Sequence, residues 1–184
     1  MRSEVYNYSM KLKHNIKKPL IAVSVLLIAA GMAFAAKKVS EERQKLITTS
    51  LGYVGVPYIY GADDWEIYKG FDCSGFVDYV FRKALNINLP RTAQAIYERC
   101  TPVNSSNWEP GDLLFYKNDP NGKITHVGIY LGVYHGELTR FEGKRVFVSA
   151  VSDGPETGVV ISEIDQKFWK NHYYAAGRIL PPSE

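Results

Sequence analysis

The stretch that decides the fold is FDCSGFVDYVFRKAL, which occupies residues 71–85. After Cys73 the apolar side chains recur at helical spacing and form a single stripe, made of Phe76, Val77, Val80, Phe81 and Ala84. This pattern predicts an amphipathic helix from about Cys73 to about Leu85, entered from a loop. The sequence therefore places one cysteine at the start of a helix with a buried face.

A second stretch, THVGIYL at residues 125–131, alternates in the manner of a half-buried strand and carries one histidine, His126. A thiol and an imidazole so far apart in sequence can meet only in the folded chain. Together they are the minimal equipment of a cysteine peptidase or acyltransferase. A helix N-terminus and a nearby imidazolium both lower the pKa of a thiol, so we expect Cys73 to be activated. Gly128 is expected to keep the strand face beside His126 open for substrate.

The remaining patterns predict helices before Cys73 and after it, followed by strands. Residues 40–51 and 92–99 have helical spacing, with Ser40 as a plausible N-cap, and residues 62–70 are predicted to be a polar loop. The predicted strands are Leu113–Tyr116, Ile124–Leu131, Val146–Val151, Gly158–Ile161 and Tyr174–Leu180. Helices followed by an antiparallel run predict the α+β class with segregated layers.

Composition excludes several classes of protein. The chain has 184 residues with 13 Tyr, 8 Phe and 3 Trp, which is typical of a packed domain rather than a disordered chain. The net charge of +3 comes from the first 35 residues, and the rest is nearly neutral, so nucleic-acid binding is not expected. Two cysteines, Cys73 and Cys100, make neither a disulfide framework nor a metal cluster.

Residues 1–35 match a secretory signal, because a basic start leads into an apolar run that ends in Ala33-Phe34-Ala35. The alternative is an uncleaved N-terminal membrane anchor, since the uncharged run from Leu20 to Ala36 reaches the lower limit for spanning a bilayer. Both readings predict export of residues 36–184 to the cell envelope as the functional domain. Membrane contact is expected only through an uncleaved N-terminal segment.

Five short motifs in order resemble the NlpC/p60-type cell-wall cysteine peptidases. They are GVPYIYG at 55–61, FDCSGFV at 71–77, LPRT at 89–92, EPGDLLF at 109–115 and HVGIYLG at 126–132. The resemblance implies a papain-like α+β core in which N-terminal helices pack on a central antiparallel sheet. It also implies hydrolysis of amide bonds in peptidoglycan stem peptides, commonly between D-glutamate and the diamino acid.

The resemblance also implies roles for particular residues. Cys73 matches the nucleophile, His126 the general base, and Tyr58 the tyrosine whose hydroxyl lines the site and helps the oxyanion. The alternative for Tyr58 is an ordinary half-buried aromatic residue. The third catalytic position, which orients the imidazole, falls on Ser149, where relatives usually have histidine or another polar residue. Serine is short and neutral, so it should stabilise an imidazolium less than a carboxylate would.

The third position has competing candidates in this chain. The connection Val133–Lys144 is longer than the tight turn usual in the family, so a residue from it or from the segment after Ser149 could take the position. These candidates are His135, Glu137, Glu142 and Asp153.

Three further residues are implied to contact substrate. Asp72 and Ser74 match positions that hold the free amine of an L-Ala-D-Glu stem in some relatives, and Thr92 matches a hydroxyl residue that faces the same ligand. The residues themselves leave another reading open, because Asp72 or Ser74 could simply cap the helix.

The sequence thus predicts an exported, thiol-dependent peptidoglycan endopeptidase that acts on a stem peptide or muropeptide. No metal or organic cofactor is implied, and the protein is expected to be a monomer. Two alternatives remain, namely a catalytically inactive peptidoglycan-binding module of the same fold and a thiol acyltransferase.

Overall fold

The structure is a computed structural model that describes residues 41–182. The predicted signal or anchor and the predicted N-cap Ser40 lie outside the described residues. No helix within residues 41–182 has both the length and the apolar character needed to cross a membrane.

Five helices and six strands make up the described chain. The helices are α1 at residues 41–51, α2 at Trp65–Tyr68, α3 at Cys73–Leu85, α4 at Ala93–Arg99 and α5 at Lys167–His172. The strands are β1 at Thr101–Val103, β2 at Leu113–Tyr116, β3 at His126–Val133, β4 at Arg145–Val151, β5 at Gly158–Glu163 and β6 at Tyr173–Arg178. Single turns of 3-10 helix occur at Ser105–Asn107 and Thr139–Phe141.

The six strands form one sheet in the order β1-β6-β2-β3-β4-β5, and every neighbouring pair is antiparallel. Helix α3 packs against β3 and β4. The predicted α+β class, with N-terminal helices on a central antiparallel sheet, is therefore confirmed.

The sheet has a hydrophobic core on each face, because side chains alternate along each strand. The first core holds the apolar stripe of α3 together with strand residues such as Val127 and Ile129. The second core lies on the opposite face and is rich in large rings, namely Tyr116, Tyr130, Phe147 and Trp169. His126 and Ser149 follow the alternation of this second face.

A buried ionic cluster orders the EPGD turn that leads into β2. Asp112 is fully buried and accepts hydrogen bonds from Nε and Nη2 of Arg178, at 2.8 and 2.9 Å. Its Oδ2 also accepts from the backbone N–H of Glu109, at 2.8 Å. Arg43 of α1 joins the cluster 3.6 Å from Asp112 and donates to the carbonyl of Pro181. The cluster therefore ties α1 and the end of the described chain to the start of the central strands.

Three short elements were absent from the sequence prediction. They are α2 inside the predicted polar loop, β1 and α5, which have four, three and six residues. Elements this short complete at most two turns of helix or three positions of a strand, so no periodicity can reveal them. The other predicted helices and strands are confirmed to within two residues at each end, apart from the unseen Ser40.

Candidate active site

Helix α3 begins at the cysteine because Asp72 caps it. The backbone of Asp72 is extended, with φ −88° and ψ 177°, and its Oδ1 accepts from the backbone N–H of Gly75 at 2.7 Å. Cys73 is then the first residue of the helix, with a side chain only 8% exposed. The cap thus sets where the nucleophile candidate stands.

Arg91 forms an ion pair with the carboxylate of Asp72. Its Nη1 donates to Oδ1 at 3.1 Å and its Nη2 to Oδ2 at 2.5 Å, while Nη1 also donates to Ser74 Oγ at 3.0 Å. The backbone N–H of Gly61 adds a further bond to Oδ2 at 3.1 Å. The capping alternative for Asp72 is therefore what the structure shows, and contact of Asp72 or Ser74 with substrate stays a prediction.

The Cys73 thiol lies against the backbone on both sides of His126. Sγ donates to the carbonyl of Thr125 at 3.7 Å, and the N–H of Val127 also acts on the sulfur. Burial, helped by the charge of Asp72, raises the pKa of the thiol to about 11, and the N–H groups of Val127, Ser74 and Cys73 offset this only in part. The expectation of an activated thiol is wrong for this resting state, because the loss of hydration outweighs the helix N-terminus.

The His126 ring is held by Ser149. Its Nε2 lies 3.0 Å from Ser149 Oγ, and Ser149 is fully buried in β4. Burial lowers the pKa of His126 to about 4. Near neutral pH the imidazole is therefore uncharged, and when Nε2–H donates to Ser149, Nδ1 keeps its lone pair to receive a proton.

Two aromatic rings from other elements flank the imidazole. Trp169 of α5 stacks on it, with ring centroids 5.0 Å apart and an angle of 29° between planes. Tyr116 of β2 stands opposite His126 in the strand register, with centroids 5.8 Å apart. The sequence did not predict either contact, since neither Trp169 nor Tyr116 stands in one of the five motifs. The only available signal was an apolar Phe168-Trp169 pair between two strands.

Two glycines allow close approaches around the site. A Cβ on Gly75 would lie 2.2 Å from the carbonyl oxygen of Ala62, so this glycine lets the loop backbone rest on the first turn of α3. A Cβ on Gly128 would lie 2.5 Å from the ring of Phe147 and 3.0 Å from Cβ of Ser149. The expectation that Gly128 leaves room for substrate is wrong, because β4 side chains fill that space.

Tyr58 stands beside the nucleophile. The segment around it pairs with Phe71, since Ile59 N–H donates to the Phe71 carbonyl at 2.9 Å and Phe71 N–H to that of Pro57 at 3.1 Å. Burial raises the pKa of the Tyr58 phenol to about 12, and the charges of Cys73 and Asp72 add to the shift. At neutral pH its hydroxyl therefore keeps the proton that an oxyanion donor needs.

Thr92 acts as a helix cap. Its Oγ1 accepts from the backbone N–H of Ala95 at 3.2 Å and so starts α4, one residue after Arg91. Contact of the exposed Thr92 with substrate stays a prediction.

The long connection between β3 and β4 is a hairpin extension. Tyr134 and Lys144 pair across it, and His135 Nδ1 lies 2.8 Å from Glu142 Oε1, with both side chains exposed. Arg140 then pairs with Glu156 in the next loop. His135, Glu137 and Glu142 are thus not the partner of the His126 ring, since the contact with Nε2 is made by Ser149.

The candidate site thus offers a neutral thiol, a neutral imidazole hydrogen-bonded through Nε2, a protonated phenol and the N-terminus of α3. Such a set can transfer a proton and stabilise an oxyanion. Both cysteines are free thiols. Within residues 41–182 no three His, Cys, Asp or Glu side chains are placed to share a metal ion.

Comparison with known proteins gives one family over the region that carries the site. The profile of the NlpC/P60 family matches residues 55–178. The chain is 30% identical over 164 residues to murein DD-endopeptidase MepH of Escherichia coli strain K12, covering 87% of this chain and 55% of that protein. It is 35% identical over 144 residues to gamma-DL-glutamyl hydrolase of Bacillus subtilis strain 168, covering 78% of this chain and 29% of that protein.

A solved structure shows the same architecture. A lipoprotein-like protein of the NLP/P60 family from Staphylococcus aureus subsp. aureus Mu50 superposes with a TM-score of 0.60 and 28% identity, over 77% of this chain and 42% of that one. The chain spans about half or less of the length of these three relatives. They therefore share with it the domain that contains the site.

Proposed function

This chain belongs to the NlpC/P60 family, and from that premise we propose that it is a cysteine peptidase that hydrolyses amide bonds in peptidoglycan stem peptides. The observation that carries the proposal is the thiol of Cys73 at the first residue of α3, seated against the backbone that flanks His126. The named activities of the two curated relatives, a murein endopeptidase and a glutamyl hydrolase, support a substrate of this class.

The resting site suggests how the reaction runs. As Sγ attacks the substrate carbonyl carbon, its proton passes to Nδ1 of His126, because Nε2 is engaged by Ser149. The developing oxyanion meets the backbone N–H of Cys73 and the Tyr58 hydroxyl. His126 then gives its proton to the leaving amine, and an acyl-thioester remains. Water, deprotonated by His126, attacks the thioester and releases the acid and the thiol.

This order of events explains why a neutral pair is sufficient. The pKa values of about 11 for Cys73 and about 4 for His126 place both groups in their neutral forms at pH 7. We therefore expect proton transfer to accompany attack on the carbonyl.

We infer that the bond cleaved joins D-glutamate to the diamino acid. The identity to gamma-DL-glutamyl hydrolase supports this choice, whereas the name of MepH points to the DD bond of a cross-link. Purified cross-linked and uncross-linked muropeptides, incubated with the protein and analysed by mass spectrometry, separate the two. DL cleavage shortens uncross-linked stems, and DD cleavage converts dimers to monomers while leaving uncross-linked tetrapeptide stems intact.

The outcome of that digestion also tests the class of protein. Turnover of either bond supports a hydrolase, and a product in which the acyl group has moved to an added amine would indicate an acyltransferase. Absence of turnover on several wall types, with retained binding to insoluble wall, would overturn the proposal in favour of a binding module. The bond of the thiol to the Thr125 carbonyl, rather than to the imidazole, is the observation that favours that second candidate.

Ser149→Ala is expected to lower kcat about 10- to 100-fold with little change in KM, because the ring loses the hydrogen bond at Nε2 while substrate contacts remain. Activity needs neutral His126, so the wild-type rate is lost as the pH falls through about 4. Removing an acceptor from Nε2–H disfavours the imidazolium, and the acid limb of the pH–rate profile should stay in place or move to lower pH.

Ser162→Ala on the neighbouring strand β5 is the control for Ser149→Ala. Wild-type kcat in Ser149→Ala would remove Ser149 from the third position.

We also propose that residues 1–35 direct the chain to the cell envelope, by cleavage or as an anchor. The basic start and apolar run support this, together with a substrate that lies outside the cytoplasmic membrane. The mass of the N-terminus of protein recovered from cells distinguishes the two routes.

A further inference from the structure

The imidazole of His126 is packed by rings as well as hydrogen-bonded. Trp169 stacks on one face at 5.0 Å, and it is itself only 7% exposed. Its indole also meets Tyr116 and Phe147 edge-on, with centroids 5.0 Å away in both cases. Trp169 is therefore locked among neighbours from β2 and β4 and cannot turn away from the imidazole without opening the second core.

Stacking by Trp169 restricts a rotation of the His126 ring that the hydrogen bond to Ser149 allows. A single hydrogen bond at Nε2 fixes one atom of the ring but allows the plane to rotate about the Nε2–Oγ direction. A stacked indole fixes the plane, and hence the direction in which Nδ1 points. Because the reaction needs Nδ1 aimed at the thiol and later at the leaving nitrogen, the plane of the ring matters as much as its anchor.

We propose that Trp169 is a positioning residue of the proposed peptidase, and that its indole holds the plane of His126 and excludes water from the ring. It acts through His126 and does not touch the reacting atoms. The inference rests on the proposed function for its kinetic consequences, whereas its effect on the ring is independent of turnover. It also accounts for a serine at the third position, since stacking supplies the orientation that a short neutral side chain supplies poorly.

Two opposite effects of the indole on the imidazolium must be weighed. The indole face attracts a cation, which favours the protonated ring by roughly 1.5 pKa units at a desolvated site. Burial lowers the pKa of His126 from 6.5 to about 4, which is the larger effect. Opening the ring to water should therefore raise the pKa of His126 on balance.

The other ionisable groups around the ring do not reverse the expected rise in the pKa of His126. Tyr116 of β2 contacts it, and burial raises the pKa of its phenol well above 10, so it stays neutral. Cys73 of α3 is neutral as well. On α5 itself, Lys167 and Lys170 are exposed and the Nδ1–H of His172 donates to the Phe168 carbonyl, while Arg145 at the far end of β4 pairs with Asp165.

The test compares Trp169→Phe, Trp169→Ala and the control Phe168→Ala in the full chain. Phe168 is the neighbouring ring on α5 and is 51% exposed, so its removal should change neither kcat nor the pH profile. Trp169→Ala should lower kcat about 10- to 100-fold at constant KM and move the acid limb upward, from about 4 toward the ordinary 6.5. Trp169→Phe keeps a ring over the imidazole and should recover most of kcat.

An NMR titration of the His126 ring gives the readout that does not depend on turnover. The proposal expects the pKa of His126 to rise in Trp169→Ala and to change little in Trp169→Phe. An unchanged pKa and acid limb in a folded Trp169→Ala protein would overturn it, as would equal impairment of both variants. If Trp169→Ala does not fold, the His126 pKa in Trp169→Phe decides, with a pKa at the ordinary 6.5 contradicting the proposal. If wild-type protein cleaves no wall peptide, the proposed function fails while the titration still tests the stacking.

Discussion

Cys73→Ala is expected to reduce hydrolysis of stem peptides by about 10⁴-fold or more, since the nucleophile is lost and the remaining groups can only bind and polarise the substrate. The variant should remain folded. The removed sulfur is small, and Asp72 caps α3 through its own carboxylate rather than through the thiol. Turnover is measured as the release of a new amine from purified muropeptide, and folding as the thermal midpoint.

The chain supplies a matched control for this variant. Cys100 is the other free thiol, and it lies at the end of α4 with its Sγ 3.3 Å from the Ile96 carbonyl. Burial raises the pKa of Cys100 to about 12, so it is an unreactive thiol. Cys100→Ala should keep wild-type turnover. Activity in Cys73→Ala within tenfold of wild type would falsify the thiol mechanism, and loss in both variants would indicate damage to the fold.

Asp72→Ala should lower the free energy of unfolding by about 2–3 kcal/mol, the largest stability effect we expect at the site. The substitution removes a helix cap worth about 1 kcal/mol and strips Arg91 of its close partner. The figure is below that for a fully buried ion pair because the Arg91 side chain is 40% exposed. Denaturant midpoints at constant slope measure the change.

A double-mutant cycle separates the two contributions. Arg91→Ala and the Asp72→Ala/Arg91→Ala pair isolate the ion pair, and Asp72→Asn keeps an acceptor for the Gly75 N–H while removing the charge. Asp119→Ala is the control, because Asp119 also accepts a backbone N–H in a turn, at 3.0 Å, but is exposed and has no arginine partner among residues 41–182. A loss in Asp72→Ala no larger than in Asp119→Ala would mean that the Arg91 contact contributes nothing.

The same variants address the substrate contact that resemblance implies for Asp72. A carboxylate already bonded to Arg91 and to two backbone N–H groups has little capacity left for an ammonium group. We therefore expect Asp72→Asn to change kcat through the placement of Cys73, with KM for peptides bearing a free amine changing no more than KM for glycan-linked stems. A selective rise of KM for the free-amine peptides would restore the substrate contact.

Prediction from sequence succeeded where the signal is local. The bounds of α3 followed from an apolar stripe, and the structure confirms both ends at Cys73 and Leu85. The resemblance to the family placed Ser149 at the third position, and its hydroxyl oxygen lies 3.0 Å from Nε2 of His126. Its function in catalysis stays a prediction.

Prediction failed where a property depends on what surrounds a group. A helix N-terminus alone lowers the pKa of a thiol, but Cys73 is so deeply enclosed that lost hydration reverses the sign. Gly128 appeared to leave an open face, yet Phe147 from the neighbouring strand fills it. Arg91 stood in a recognised motif, but nothing in the sequence pairs it with Asp72 across nineteen positions.

The sequence by itself determined on which elements the candidate catalytic residues stand, because apolar periodicity acts over a few neighbouring residues. Only the tertiary structure decided the state of those residues: which nitrogen of His126 is engaged, that both groups of the dyad rest neutral, and that Trp169 covers the ring. These depend on contacts between β2, β3, β4 and α5, which lie far apart along the chain. The strand order and burial that create those contacts are properties of the whole fold, and no local pattern encodes them.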